Sequence, residues 1–222
     1  MNEERRILRI GIDGQWEATE FATSLNALDH LYTLRFGLTL ESEELRELRD
    51  SYLDAPFPII PRSLRALRWV RNAPASFFRP EGGPIRASGR LIETTSELLE
   101  PRERLMVQRI IYGSPGISDL AGIGEIVGHV KDLLMRLIEY WSTRRQRALE
   151  NEHRELENRQ LQIEIAQEFV GLAQQLGYTK REMRQLVASV VEEQRPIVQQ
   201  IAAGKITSAD IIEGEPHSHD SL

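Results

Sequence analysis

Three glycines in the segment "IIYGSPGISDLAGIGEIVGHV", residues 110–130, have the residue type and approximate spacing of a phosphate-binding loop. A dinucleotide-binding loop follows a strand directly and presents G-x-G-x-x-G to a pyrophosphate at a helix start. Here Gly122, Gly124 and Gly128 form G-x-G-x-x-x-G, well after the nearest predicted strand. The spacing therefore favours close packing through small residues over nucleotide binding.

The residue types give little support for a catalytic nucleophile or a metal site. Ser114 stands in "YGSPG", which lacks the G-x-S-x-G spacing of a nucleophile elbow and predicts a turn. The chain has no cysteine, which excludes thiol catalysis and cysteine-ligated metals, and its five histidines are scattered. We expect no catalytic residue, no cofactor and no metal site. The alternative is an enzyme whose site is assembled from distant carboxylates, which no sequence pattern would reveal.

A basic stripe is predicted in "PRSLRALRWVRNAP", where an arginine recurs at every third position: Arg62, Arg65, Arg68 and Arg71. On a helix these side chains form a face suited to phosphate or to an acidic partner. The formal net charge of -6 argues against nucleic-acid binding as the main function. We interpret the stripe as an ordinary surface helix and keep nucleic-acid binding as an alternative.

A partner interface is predicted in the later helical region, where Leu149, Leu156, Ile163 and Val170 recur every seven residues. This is the period of a coiled-coil seam. A second apolar line on the same stretch includes Phe169, and a solitary helix would leave it exposed. We therefore expect residues 145–204 to form a helical hairpin that self-associates or docks a partner helix. A solvated single helix supported by charge pairs is the alternative.

Strands that could carry such sites are predicted at three places. Alternation of apolar and polar residues indicates a strand at Leu8 to Asp13. A second strand is expected over residues 105–113. Apart from Gln108 and Arg109, residues 105–112 are apolar on both alternating faces, which is typical of a central or doubly covered strand. A third strand is expected near Leu91.

Helices are predicted where apolar residues recur at steps of three and four. One runs from Trp16 to Phe36 and ends at Gly37, Ser42 caps a shorter one, and another starts near Leu120. A T-x-x-E capping box at Thr179 starts a further helix. The predicted core contains these residues: Leu25, Leu28, Val107, Leu134 and Ile138.

These elements predict an α+β fold, with a small antiparallel sheet covered by helices and followed by a long coiled-coil-like extension. We expect an α+β domain over residues 1–141, with a proline-rich insertion at about 54–103. The helical extension covers 142–212 and a disordered tail 213–222. The absence of a signal-like start and of a membrane-spanning stretch predicts a cytoplasmic protein.

The run Leu8-Arg9-Ile10-Gly11-Ile12-Asp13-Gly14, the later "RIIYGSPG" and the charged helix after it resemble TRADD-N-like adaptor proteins of bacterial conflict systems. The similarity covers residues 8–176. It implies an α+β interaction module in bacterial immunity or signalling, and no functional residue is carried over from it. We therefore expect a non-catalytic module that binds a protein partner, or forms a homo-oligomer, through its C-terminal helices.

Overall fold

Four strands and four helices make up the part of the chain that the computed structural model describes. This part comprises residues 4–54, 95–96, 99–146, 151–176 and 178–212, without the side chains of 44–54, 143–146 and 151–159. In chain order the elements are β1 (Arg5–Ile12), α1 (Ala18–Asp54), β2 (Met106–Ile111), β3 (Gly116–Ile123), α2 (Gly124–Gln146), α3 (Asn151–Gln175), α4 (Lys180–Ala202) and β4 (Ile206–Ile212).

The four strands form one antiparallel sheet in the order β2-β3-β1-β4. β1 and β3 are central, with Leu8 opposite Leu120. β2 and β4 lie at the two edges. The predicted α+β class with a small antiparallel sheet is confirmed.

Alternation along β1 explains how the sheet buries one face. Leu8, Ile10 and Ile12 are buried, whereas the intervening Arg9 and Gly11 are only half-buried. The helix α2 packs against β4, β1 and β3 and contributes Leu134 and Leu137, which are fully buried. This packing removes apolar surface from water and is the main stabilising contribution to the sheet.

The chain divides into two compact units. One contains residues 33–99 and 150–195, and the other contains 2–32, 100–149 and 196–222, including the whole sheet. In the first unit the Tyr178 hydroxyl donates a hydrogen bond to the Glu41 carboxylate at 3.0 Å. In its C-terminal part the buried apolar residues are Ile165, Ala166, Phe169, Ala173, Leu176, Leu186 and Val190.

The predicted start of α4 is confirmed by its capping geometry. The Glu182 amide donates to the Thr179 hydroxyl at 3.3 Å, and the Thr179 amide donates to the Glu182 carboxylate at 2.7 Å. These reciprocal bonds satisfy amide groups that have no partner inside the helix. Pro196 lies inside α4, which continues to Ala202.

The prediction for residues 105–113 is right about the strand and wrong about its surroundings. β2 is an edge strand, and its Val107 is 49% exposed rather than buried. The strand covered on both sides is β3, whose residues 118–123 are all buried. Of the other predicted core residues, Leu28 and Leu134 are buried, and Leu25 and Ile138 are half-buried.

Helix boundaries also differ from the predictions. Gly37 and Ser42 lie inside α1, because burial of the surrounding Leu34, Phe36 and Leu38 outweighs the cost of a glycine, about 1 kcal/mol relative to alanine. The helix expected near Leu120 begins at Gly124, since residues 116–123 pair as β3.

The C-terminal region departs from the predicted helical extension at its end. Residues 206–212 form β4, because pairing with β1 satisfies their backbone groups. The strand expected near Leu91 lies outside the described residues.

Candidate functional site

Among the residues that the structure describes, no strand pairs with the outer side of β2, which is a free edge of the sheet. Its apolar residues, together with the adjacent Tyr112, are between 45% and 63% exposed: Met106, Val107, Ile110, Ile111 and Tyr112. They include residues on both faces of the strand, since Val107 lies opposite Leu120 and Ile111 lies opposite Ile117. An edge strand also presents backbone N–H and C=O groups that its single neighbour does not satisfy. The edge can therefore accept a further strand.

A charged cluster lies beside this edge, centred on Asp119 of β3. Arg9 of β1 donates to its carboxylate from Nε at 2.8 Å and from Nη2 at 3.0 Å. Arg109 of β2 donates to the Oδ2 atom from Nε at 3.0 Å and from Nη2 at 2.7 Å. The Asp119 side chain is only 4% exposed, whereas that of Arg109 is 51% exposed.

The pKa values follow from these contacts. The hydrogen bonds from Arg9 are the largest cause that lowers the pKa of Asp119, burial of the carboxyl opposes them, and Arg109 lowers the pKa further. In return, the hydrogen bond to Asp119 raises the pKa of Arg9. Asp119 is therefore a fixed anion that holds two arginines in place.

The strand register extends this cluster into a row across the sheet. Arg109 is opposite Asp119, Asp119 is opposite Arg9, and Arg9 is opposite the exposed Asp210 of β4. Directly opposed residues in neighbouring strands share a face of the sheet. The row therefore alternates in charge and ends with a cation at the β2 edge and an anion at the β4 edge.

A second polar cluster lies where β1 ends. The Ser114 hydroxyl donates a hydrogen bond to the Asp13 carboxylate, to which the Gly14 amide also donates. The bond from Ser114 is the largest cause that lowers the pKa of Asp13, so this carboxylate is a weak base. These hydrogen bonds stabilise a turn, and the sequence predicts a turn at Ser114.

Further contacts near the end of β1 fix the position of the start of α1. The Tyr112 hydroxyl accepts a hydrogen bond from the Trp16 amide at 3.2 Å. Lys205 binds the Glu20 carboxylate and lies 5.6 Å from the centre of the Trp16 ring. These pairings position the backbone between β1, β4 and α1, and each polar group is engaged by a neighbour.

The sheet-containing unit also has a cleft of about 140 Å³ at the C-terminal end of α2. Its lining residues are uncharged: Ile138, Trp141, Ser142, Ile201, Gly204, Ile206 and Thr207. Among the described residues, no group of three or more His, Cys, Asp or Glu side chains could hold a metal ion. No helix in the described ranges is long and apolar enough to cross a membrane.

The predicted partner interface is only partly described. Ile163 is 40% exposed, Val170 is half-buried and Phe169 is buried. The side chain of Leu156 lies outside the described residues, as does Leu149. The predicted basic face, consisting of Arg62, Arg65, Arg68 and Arg71, also lies outside them.

The residues of the charged row were not among the predicted site residues. Arg109 interrupts an apolar run, and Asp119 lies in "GISDLAGI", which has no clear alternation. Their only local signal is a charge inside an otherwise apolar stretch. The charged row forms only when the distant strands pair.

Comparison of the chain with models of protein families, with curated proteins and with solved structures finds no match.

Proposed function

We propose that the protein is a non-catalytic interaction module that binds another polypeptide by adding a strand to the β2 edge. The observation that carries this proposal is the exposure of apolar side chains on both faces of an edge strand. Long apolar edges promote unwanted pairing, and natural proteins usually shorten, charge or cover them. An edge that keeps Ile110 and Ile111 exposed is suited to a partner that covers them.

Strand addition also fits the chemistry of this edge. The backbone of β2 would supply hydrogen bonds to the incoming strand, and its side chains would contact both faces of that strand. The resemblance to TRADD-N-like adaptors predicts the same class of function, with a place in bacterial defence or signalling.

Hydrogen–deuterium exchange of β2 tests the proposal. The tagged full-length chain is labelled alone and after incubation in an extract of the cells that naturally produce it. Strand addition should slow the exchange of amides in residues 106–112, because the amides that face the free edge, about half of those in the strand, become hydrogen-bonded. Ile110→Lys should abolish this slowing, since a charge replaces an apolar contact.

Ile163→Lys is the matched control, because Ile163 is an apolar residue of similar exposure outside the sheet. It should leave the exchange of β2 as in the wild type. Unchanged, rapid exchange of residues 106–112 both in the extract and in the concentrated pure protein would contradict the proposed function.

A further inference from the structure

β2 repeats the residue pattern of β1. The order in β1 is Ile7-Leu8-Arg9-Ile10, and the order in β2 is Met106-Val107-Gln108-Arg109-Ile110. The register shifts at Gln108, so that Val107 and Arg109 oppose consecutive residues of β3. If Gln108 is left out, both strands have the same order of residue types: two apolar residues, an arginine and an isoleucine.

The two strands also have the same orientation and the same central contact. Each is antiparallel to β3, so β1 and β2 are parallel to each other. Arg9 and Arg109 both lie opposite Asp119 and both bind its carboxylate. β1 and β2 therefore present equivalent arginines on the same face of the sheet.

The two strands differ in what lies on their other side. On β1 that position is filled by β4, which places Ile212 opposite Ile7, Ile211 opposite Leu8, Asp210 opposite Arg9 and Ala209 opposite Ile10. On β2 the side away from β3 has no partner strand in the described ranges of the chain. The side chains of β4 thus already pair with the residue pattern of β1, and β2 has the same pattern.

We infer that β4 of a second copy of this chain pairs antiparallel with β2, an inference that rests on the proposed strand addition. The pairs are Met106 with Ile212, Val107 with Ile211, Arg109 with Asp210 and Ile110 with Ala209 of the second copy. Each of the three apolar pairs covers side chains now exposed on β2. Asp210 of the second copy lies opposite Arg109, as Asp210 lies opposite Arg9 within one chain, and the charge alternation continues across the boundary.

The charge row distinguishes this contact from a symmetric pairing of β2 with β2. A two-fold axis at Arg109 would place the two arginines directly opposite each other, and like charges opposed across strands are destabilising. Pairing of β2 with β4 instead opposes unlike charges. The contact is head-to-tail, so it leaves a free β2 at one end and a free β4 at the other, and copies add until a ring closes.

One position limits the length of the new pairing. Ile111 stands where β1 has Gly11, and a Cβ at Gly11 would lie 2.5 Å from the Ser208 Oγ atom. The Ser208 hydroxyl of the second copy must therefore turn away from Ile111. The pairing is best between Met106 and Ile110.

Two variants, each blocked at one edge, test the inference. The double variant Val107→Lys/Ile110→Lys places charges on the β2 edge. The variant Asp210→Arg places a cation on β4 at the position that would lie opposite Arg109 of another copy. The wild-type average mass should rise with concentration in sedimentation experiments, whereas each variant alone should stay at the 25.5 kDa of one chain. An equimolar mixture should form a dimer of twice that mass that grows no further, because only one functional edge pair remains.

Ile163→Lys should assemble like the wild type, and circular dichroism with thermal unfolding should show that every variant is folded. Dimerisation of Asp210→Arg alone would overturn the inference in favour of symmetric pairing through β2. A monomeric wild type at all concentrations, with β2 amides slowed only in the cell extract, would overturn the inference and leave the proposed function standing. Rapid β2 exchange under both conditions would overturn both.

Discussion

Asp119 lies directly opposite Arg9 on neighbouring strands and binds its guanidinium at both oxygens, at 2.8 and 3.0 Å. The contact joins the two central strands of the sheet, which are more than a hundred residues apart in sequence. Because the same carboxylate also accepts hydrogen bonds from Arg109, it links three strands. The register of the sheet and the charge presented at its open edge therefore depend on one buried anion.

Replacement of Asp119 by Asn should destabilise the protein by about 1–2 kcal/mol, because a neutral amide weakens the charge-assisted hydrogen bonds while both arginines remain partly hydrated. Equilibrium urea unfolding measures the change. Asp132→Asn is the matched control, since Asp132 is exposed and pairs only with the neighbouring Lys131 among the contacts described. Equal effects of the two substitutions would show that the Asp119 cluster does not stabilise the sheet.

Acid should weaken the fold partly through Asp119. Its pKa is lowered in the folded state, so its stabilising contribution is complete above the unfolded value of about 3.9 and is lost as pH falls through the folded pKa. Asp13 and Glu20 also have lowered pKa values and act in the same direction. The free energy of unfolding should therefore fall less steeply below about pH 4 in Asp119→Asn than in the wild type. Parallel curves for the two proteins would refute this assignment.

The sequence predicts the parts of the fold that local patterns determine. The alternation around Leu8 and Ile10 predicts β1, and the spacing of Thr179 and Glu182 predicts the start of α4. The apolar stripe containing Leu134 correctly predicts the helix that covers the sheet. In each case the residues that carry the signal are close together along the chain.

The candidate site depends on pairing between distant segments, which local patterns do not encode. Apolar content on both faces made residues 105–113 resemble a central strand, but the topology places β3 in the centre and β2 at the edge. Residues 206–212 follow a long helix, and they form a strand because β1 is available to pair with them. The charged row exists only once Arg9, Asp119 and Asp210 have been aligned by this register.

Tyr32 offers a test of buried hydrogen bonding in the sheet-containing unit. Its hydroxyl donates to the Glu103 carbonyl at 2.6 Å and accepts from the Ile123 amide at 2.9 Å. Tyr32→Phe should cost about 1–3 kcal/mol, because two backbone groups lose their partner in a buried place. Tyr112→Phe should cost much less, since Tyr112 is 63% exposed and water can replace its hydroxyl. Thermal unfolding in which both variants match the wild type would contradict the role of Tyr32.

Burial raises the pKa of Tyr32 to about 12, and this shift can be measured by a pH titration. The raised value means that Tyr32 stabilises the fold fully below the unfolded value of about 10, and that this contribution is lost as pH rises through the folded value. The difference in ultraviolet absorbance between the wild type and Tyr32→Phe should show a tyrosine that ionises near pH 12. Ionisation of this residue near pH 10 in the folded protein would show that it is hydrated.

Two glycines of the same motif should respond to alanine in opposite ways. A Cβ at Gly122 would lie 2.8 Å from the Tyr32 Cε2 atom, and the ring is held by its own hydrogen bonds. Gly122→Ala should therefore destabilise the protein by about 1–3 kcal/mol through overpacking. Gly128 lies inside α2 with no atom within 4 Å of its added Cβ. Gly128→Ala should stabilise the protein by roughly 0.5–1 kcal/mol, because alanine is the better helix former.

The glycine pair also tests why the segment has its glycine-rich pattern. If close packing of the Tyr32 ring is the reason, only Gly122 is needed. The loss of stability in the Gly122→Ala/Tyr32→Leu double variant should then be smaller than the sum of the two single losses, because the smaller side chain leaves room for the methyl group. Chemical denaturation of the two single variants and of the double variant gives the coupling energy. Strictly additive effects would mean that the ring and the glycine do not constrain each other.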